Sequence, residues 1–100
     1  MNFNPLELVK QMGEFQEKLS SITAEGSSGG GMVVIELNGK FEVISVRIAP
    51  EAVEDGDTGM LQDLVQASFS DALQKIQEAI GRTIPGGFNL SGLGNLMGNA

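Results

Sequence analysis

Residues 29–50 read GGGMVVIELNGKFEVISVRIAP. Apolar side chains alternate in two runs, Val33, Ile35, Leu37 and then Ile44, Val46, Ile48, which is the period of a strand with one buried face. The runs meet at Asn38-Gly39, a dipeptide suited to both positive-φ positions of a two-residue hairpin turn. Such a turn pairs Leu37 with Lys40, Ile35 with Glu42 and Val33 with Ile44, and puts all six alternating residues on one face. The other face carries Met32, Val34, Phe41 and Val43 beside Glu36, Ser45 and Arg47. Apolar groups on both faces predict a sheet covered twice, by helices on one side and at least in part by a partner chain on the other.

Upstream, Asn4-Pro5-Leu6-Glu7 has the order of a helix start, with Asn4 as the cap, Pro5 at the first helical position and Glu7 three residues after the cap, as in a capping box. Phe3 and Leu8 occupy the two positions of a hydrophobic staple. Leu8, Met12, Phe15, Leu19 and Ile22 then recur every three or four residues, the seam of a helix lying lengthwise on another helix, with Val9 and Gln16 at its flanks. A helix of about 18 residues is about 27 Å long, more than a short sheet can cover, so part of this seam is expected against a second subunit. β-Branched residues from Ile22 onward predict a short strand near 22–27. Gly29-Gly30-Gly31 is either a turn into the hairpin or a place where another backbone comes very close.

Downstream of Ala49-Pro50, the acidic EAVEDGDTG segment is a turn, with Asp57 or Thr58 available to cap a second helix. Its resemblance to a calcium loop is superficial, since the ordered ligand series and the closing bidentate Glu are missing; carboxylates beside a helix N-terminus account for it. Leu61, Leu64, Val65, Phe69, Ala72, Leu73, Ile76 and Ile80 form the wide apolar stripe of a helix from about Gly59 to Gly81. Asp71 with Lys75 and Glu78 with Arg82 are expected as internal ion pairs in the favourable acidic-first order. Gln62, Gln66, Ser70, Gln74 and Gln77 remain as an uncharged polar row, either a solvated face or a surface that tolerates a phosphate backbone through amide donors. Pro85-Gly86-Gly87 ends helical structure, and the glycine-rich remainder to residue 100 reads as a flexible tail.

The totals narrow the function. A chain of 100 residues with 41% hydrophobic residues is one small domain, and five Phe without Trp or Tyr make the core aliphatic. With no Cys and no His, disulfides, thiolate nucleophiles, imidazole bases and the usual zinc ligand sets are unavailable. Carboxylates alone offer acid–base or Mg²⁺ chemistry in principle, but they cluster in a turn and on exposed helix faces. No catalytic residue, metal site or cofactor is therefore expected. Neither a secretory signal nor a membrane span is legible, which predicts a cytoplasmic protein. Six Lys plus Arg against 13 Asp plus Glu give a net charge of -7, which opposes long-range attraction to nucleic acid and demands a locally basic patch.

Several blocks in order resemble the YbaB/EbfC nucleoid-associated proteins: EGSSGGGMVVIELNG at 25–39, VRIAP at 46–50, ED followed after five residues by LQDLVQASFSDA from Glu54, and IPGGF at 84–88. The resemblance spans about residues 6 to 88. It implies an α+β domain over residues 1–84 in α-β-β-β-α order, followed by the tail at 85–100, and an intertwined homodimer whose helices project as arms. It also implies binding of double-stranded DNA with little or modest sequence preference, in the nucleoid. Carried onto this sequence, the DNA-binding candidates are Lys10, Gln11, Lys18, Lys75 and Arg82; the dimer-interface candidates are Leu8, Met12, Phe15, Leu19, Val34, Phe41 and Val43. Helix one sets Glu7, Glu14 and Glu17 against only two lysines, so affinity is expected to be weak or strongly limited by salt. A different class of function, an acidic dimeric adaptor for a recombination or replication protein, is the alternative.

Overall fold

The computed structural model describes residues 4–84; Phe3 of the expected staple and the expected tail lie outside the described residues. Helix α1 (Pro5–Ser21) leads into strands β1 (Thr23–Ser28), β2 (Val33–Asn38) and β3 (Val43–Ile48), a 3-10 turn at Pro50–Ala52, and helix α2 (Thr58–Thr83). The strands form an antiparallel meander in the order β1-β2-β3. This is the α+β arrangement expected from the residues.

Both helices begin where their caps stand. Asn4 Oδ1 accepts from the Leu6 N–H at 3.1 Å, and Asp57 Oδ1 accepts from the Met60 N–H at 3.0 Å, each satisfying a donor that the first helical turn leaves without a partner. α1 has 17 residues, and α2, with 26, extends beyond the expected 59–81 at both ends.

The core lies between α2 and the first two strands. Val33, Ile35 and Leu37 of β2 meet Ala72, Ile76, Ile80 and Ile84, with Ile22 joining from the end of α1. Small residues let the helix come close. A Cβ on Gly26 would sit 2.6 Å from Ala72 Cα and closer still to Ala72 N and Ser68 O, so the helix backbone rests directly on β1. Ser68 is wholly buried there and donates to Val33 O at 2.9 Å. Ser28 Oγ lies 2.6 Å from Leu64 O and 2.7 Å from Ser68 Oγ. The two hydroxyl protons are shared among three acceptor contacts, so at most two of them are hydrogen bonds at once, and no buried side-chain polar atom among the described residues is left without a partner.

The hairpin departs from the two-residue turn. Val33 pairs with Ile48, Val34 with Arg47, Ile35 with Val46, Glu36 with Ser45 and Leu37 with Val43, and a bulge between Glu36 and Leu37 leaves Ile44 without a direct partner. The expected pairing of Leu37 with Lys40, Ile35 with Glu42 and Val33 with Ile44 is therefore wrong. Asn38 closes a longer loop instead. Its N–H donates to Glu42 O at 3.1 Å, its side-chain oxygen accepts from the N–H groups of Lys40 (2.9 Å) and Glu42 (3.1 Å), and its amide donates to Glu42 Oε1 at 2.8 Å. The left-handed residue is Phe41, at φ 62.

Because Val33 moves from Ile44 to Ile48, an even shift, residues 45–48 keep their faces, whereas the bulge sets Val43 opposite Leu37 and so moves it off the face it was expected to share with Val34. Val46 and Ile48 still share the face of Val33 and Ile35, yet Ile44, Val46 and Ile48 remain 49%, 51% and 42% exposed. The expectation that helices cover all six alternating residues holds only for β2. A helix about 10–12 Å across spans about two strands spaced about 4.8 Å apart, and α2 sits over β1 and β2. On the opposite face Arg47 pairs with Glu25 at 3.1 Å and Ser45 donates to Glu36 at 3.4 Å.

Gly29, Gly30 and Gly31 form a turn, with φ of 61, 67 and 94 in succession and Gly31 N–H donating to Ser28 O at 3.1 Å. The close backbone approaches occur at Gly26 and Gly39 instead.

Candidate nucleic-acid interface

α1 behaves as an arm held at one end. None of its residues is buried, and only Leu19, in its last turn, packs against the core. There the Gly39 N–H is shared between Leu19 O and Ile22 O, each at 2.9 Å, and Leu19 O accepts from the Ile22 N–H at 3.2 Å as well, so the loop adds a donor to a helix end that its own C-cap already closes. The spacing that puts Leu8, Met12 and Phe15 along one side sets Lys10 opposite them, with Glu7, Glu14 and Lys18 on one flank and Gln11 at the edge of the apolar side itself. Both sides are open. Leu8, Val9, Met12 and Phe15 expose their apolar surface just as the lysines expose their charge. Leu19 differs from the other interface candidates on this helix, since its side chain is already half-buried within its own chain.

The cations divide by partnership. Lys75 Nζ lies 2.9 Å from Asp71 Oδ2, and Arg47 is tied to Glu25. Among the described residues Lys10, Lys18, Lys40 and Arg82 stand in no ion pair. The expected Glu78–Arg82 pair is thus not formed, as suits two long exposed side chains whose pairing gains little against their rotamer entropy. Arg82, in the last turn of α2, instead complements the negative end of the helix dipole. Asp71 accepts first from the Ser27 N–H at 3.0 Å and then from Lys75, and both hold its carboxyl below the ordinary 3.8. The charge of Lys75 is therefore partly spent at home.

Lys10, Gln11 and Lys18 share α1, whereas Lys75 and Arg82, seven residues apart, share a side of α2. The polar row Gln62, Gln66, Ser70, Gln74 and Gln77 is exposed throughout. Lys40 was missed by sequence reasoning because the two-residue turn assigned it to a strand pair. In the structure it follows Gly39 directly, so the bond from Gly39 to Leu19 brings it to the end of α1 that carries Lys18. Val34 is half-buried, while Phe41 and Val43 are exposed beside the bare face of β3.

α1 thus buries none of its residues, is fixed at one end to a three-stranded sheet and carries two lysines that stand in no ion pair among the described residues. The chain belongs to the YbaB/EbfC DNA-binding family, whose model matches residues 6–85. It is 43% identical over 98 residues to a nucleoid-associated protein of Syntrophobacter fumaroxidans, covering 91% of this chain and 89% of that protein. A nucleoid-associated protein of Caldanaerobacter subterraneus is 40% identical over 101 residues, covering 91% of each. The fold is similar to the crystal structure of an uncharacterised protein, HP0035, from Helicobacter pylori, with a TM-score of 0.58 and 25% identity over 72% of this chain and 83% of that one.

Proposed function

We propose that this protein is a non-enzymatic, nucleoid-associated protein that binds double-stranded DNA as a homodimer, positioning itself on phosphates and reading little sequence. The observation that carries this reading is the open flank of α1, where Lys10 and Lys18 project from a helix that buries nothing. Arg82 and the glutamine row of α2 extend the set. Phosphate contacts fix position without specifying sequence, which fits cations and amides on helix flanks. The family and the names of the relatives support DNA as the partner and the nucleoid as the place of work.

Exposed apolar surface supports the homodimer. Leu8, Val9, Met12 and Phe15 on α1, with Phe41, Val43, Ile44, Val46 and Ile48 at the hairpin, are between 38% and 66% exposed. Together they offer on the order of 800 Å² per chain, the area that each partner contributes to a standard stable interface. A second copy is the occupant we assign to this surface: its α1 seam and β3 are the complement of the same seam and strand, as a two-fold interface requires.

Fluorescence anisotropy on a short duplex across a salt series tests the reading. Affinity falls as salt rises, and each phosphate contact removed by Ala substitution of Lys10, Lys18 or Arg82 lowers the slope of log K against log salt by about 0.9. Lys75→Ala has the smallest effect because Asp71 already holds that charge. Absence of binding at low salt and at protein concentrations of tens of micromolar would remove DNA as the partner and favour the adaptor.

A further inference from the structure

We infer that Gly39 is the pivot that fixes the angle at which the α1 arm leaves the sheet. Gly39 is buried, and its N–H bridges Leu19 O in the last turn of α1 and Ile22 O at the C-cap, both at 2.9 Å. A Cβ placed on it would lie 2.5 Å from Leu19 O, 3.1 Å from Leu19 C and 3.2 Å from Leu19 Cα. Those atoms are all backbone, which has no rotamer with which to move aside. Gly39 does not stand in the left-handed region, unlike Gly29, Gly30 and Gly31. Its own dihedral angles therefore do not demand glycine; the nearness of α1 does.

The clamp is rigid from both sides. Asn38, almost wholly buried, holds the loop through bonds to Lys40 and Glu42, so Gly39 cannot drift with the hairpin tip. On the other side the chain passes from α1 to β1 through the single residue Ile22, which is part of the core. With no residue of α1 buried within its own chain, this junction is what sets the orientation of the arm inside one subunit. Gly39 is thus a positioning residue for the cations of α1. Its consequence for DNA rests on the function proposed above, but the pivot itself does not.

The test measures arm geometry and DNA affinity separately. The chain has no Cys, so Glu7→Cys near the free end of α1 and Gln74→Cys on α2, both exposed positions, accept spin labels. Labelled chain is mixed with excess unlabelled chain, so that the measured distance lies within one subunit. With Gly39→Ala the Leu19 carbonyl must retreat by about 0.5–1 Å to reach ordinary contact, and an arm about 20 Å long turns that into about 2–4 Å at its end. The expected result is a shift of that size, with Gly13→Ala, where a Cβ meets nothing within 4 Å, leaving the distance as in the natural chain. An unchanged distance in Gly39→Ala overturns the pivot. Amide exchange of the unsubstituted protein tests the same clamp without a variant: Gly39 exchanges as slowly as the β2 amides if the clamp is closed, and fast exchange overturns it. A shifted distance with unchanged duplex affinity supports the pivot and counts against α1 as the DNA-contacting element.

Discussion

Val46→Glu separates the stability of one chain from the stability of the pair. Val46 lies opposite Ile35 in the sheet but beyond the cover of α2, and is 51% exposed. In an isolated chain the substitution changes an exposed side chain and costs within about 0.5 kcal/mol. In a dimer that covers β3 the account is different. About half of a valine amounts to about 80 Å² per chain; a two-fold interface loses it twice, so at about 25 cal/mol per Å² the loss is about 4 kcal/mol. Every 1.4 kcal/mol is tenfold, so the dimer dissociation constant rises about a thousandfold, before the cost of desolvating two carboxylates is added. Sedimentation velocity over a micromolar concentration series reads the mass, and far-UV circular dichroism at the same concentrations reads the fold. The expected result is a dimer of the 10.5 kDa chain for the natural protein and a folded monomer for Val46→Glu. A variant that remains dimeric with an unchanged dissociation constant would refute the assignment of β3 to the interface.

Gly26→Ala places a methyl group against the backbone of Ala72 and Ser68; the overpacking lowers stability by about 3 kcal/mol, read as a fall in the urea midpoint, and a loss below about 1 kcal/mol would show that α2 yields there. Asp71→Asn removes the carboxylate that holds both the Ser27 N–H and Lys75. Because the Asp71 pKa is lowered from 3.8 by folding, its contribution is present in full above that unfolded value and is lost as pH falls through the folded one. Thermal melts of the two proteins should therefore differ at neutral pH and converge in acid; a gap that persists unchanged at low pH would show that the carboxylate charge plays no part.

Short-range features were legible in the chain itself. Asn4 and Asp57 begin helices because a side-chain oxygen two or three residues before an orphan N–H finds it without help from distant residues. Alternation in 33–37 and 45–48 was enough to identify strands and assign their faces, since the side-chain period of a strand is a property of its backbone, but not the face of Val43, which the bulge sets opposite Leu37. The stripe of α2 followed from helical spacing in the same way, except that Phe69, expected within it, is exposed and lies outside the core. The paired Asp71 and Lys75, one turn apart on one helix, needed nothing more.

What failed was what depends on residues far apart. Asn38-Gly39 satisfies the local rule for a tight turn, but the end of α1 lies against it, and the Gly39 N–H donates to Leu19 O and Ile22 O. With that N–H engaged and its Cα pressed against Leu19, the turn lengthens, the register moves by four residues and Lys40 arrives beside the arm. Gly26 carried no signal of its own near the end of the strand expected at 22–27, and only the path of α2 over β1 makes it the contact point. Local composition determined the elements and their faces because each is encoded within a few neighbouring residues; register, the open flank of β3 and the anchorage of α1 were decided by the packed chain, where one helix is wide enough for two strands and one N–H is close enough to bind two carbonyls.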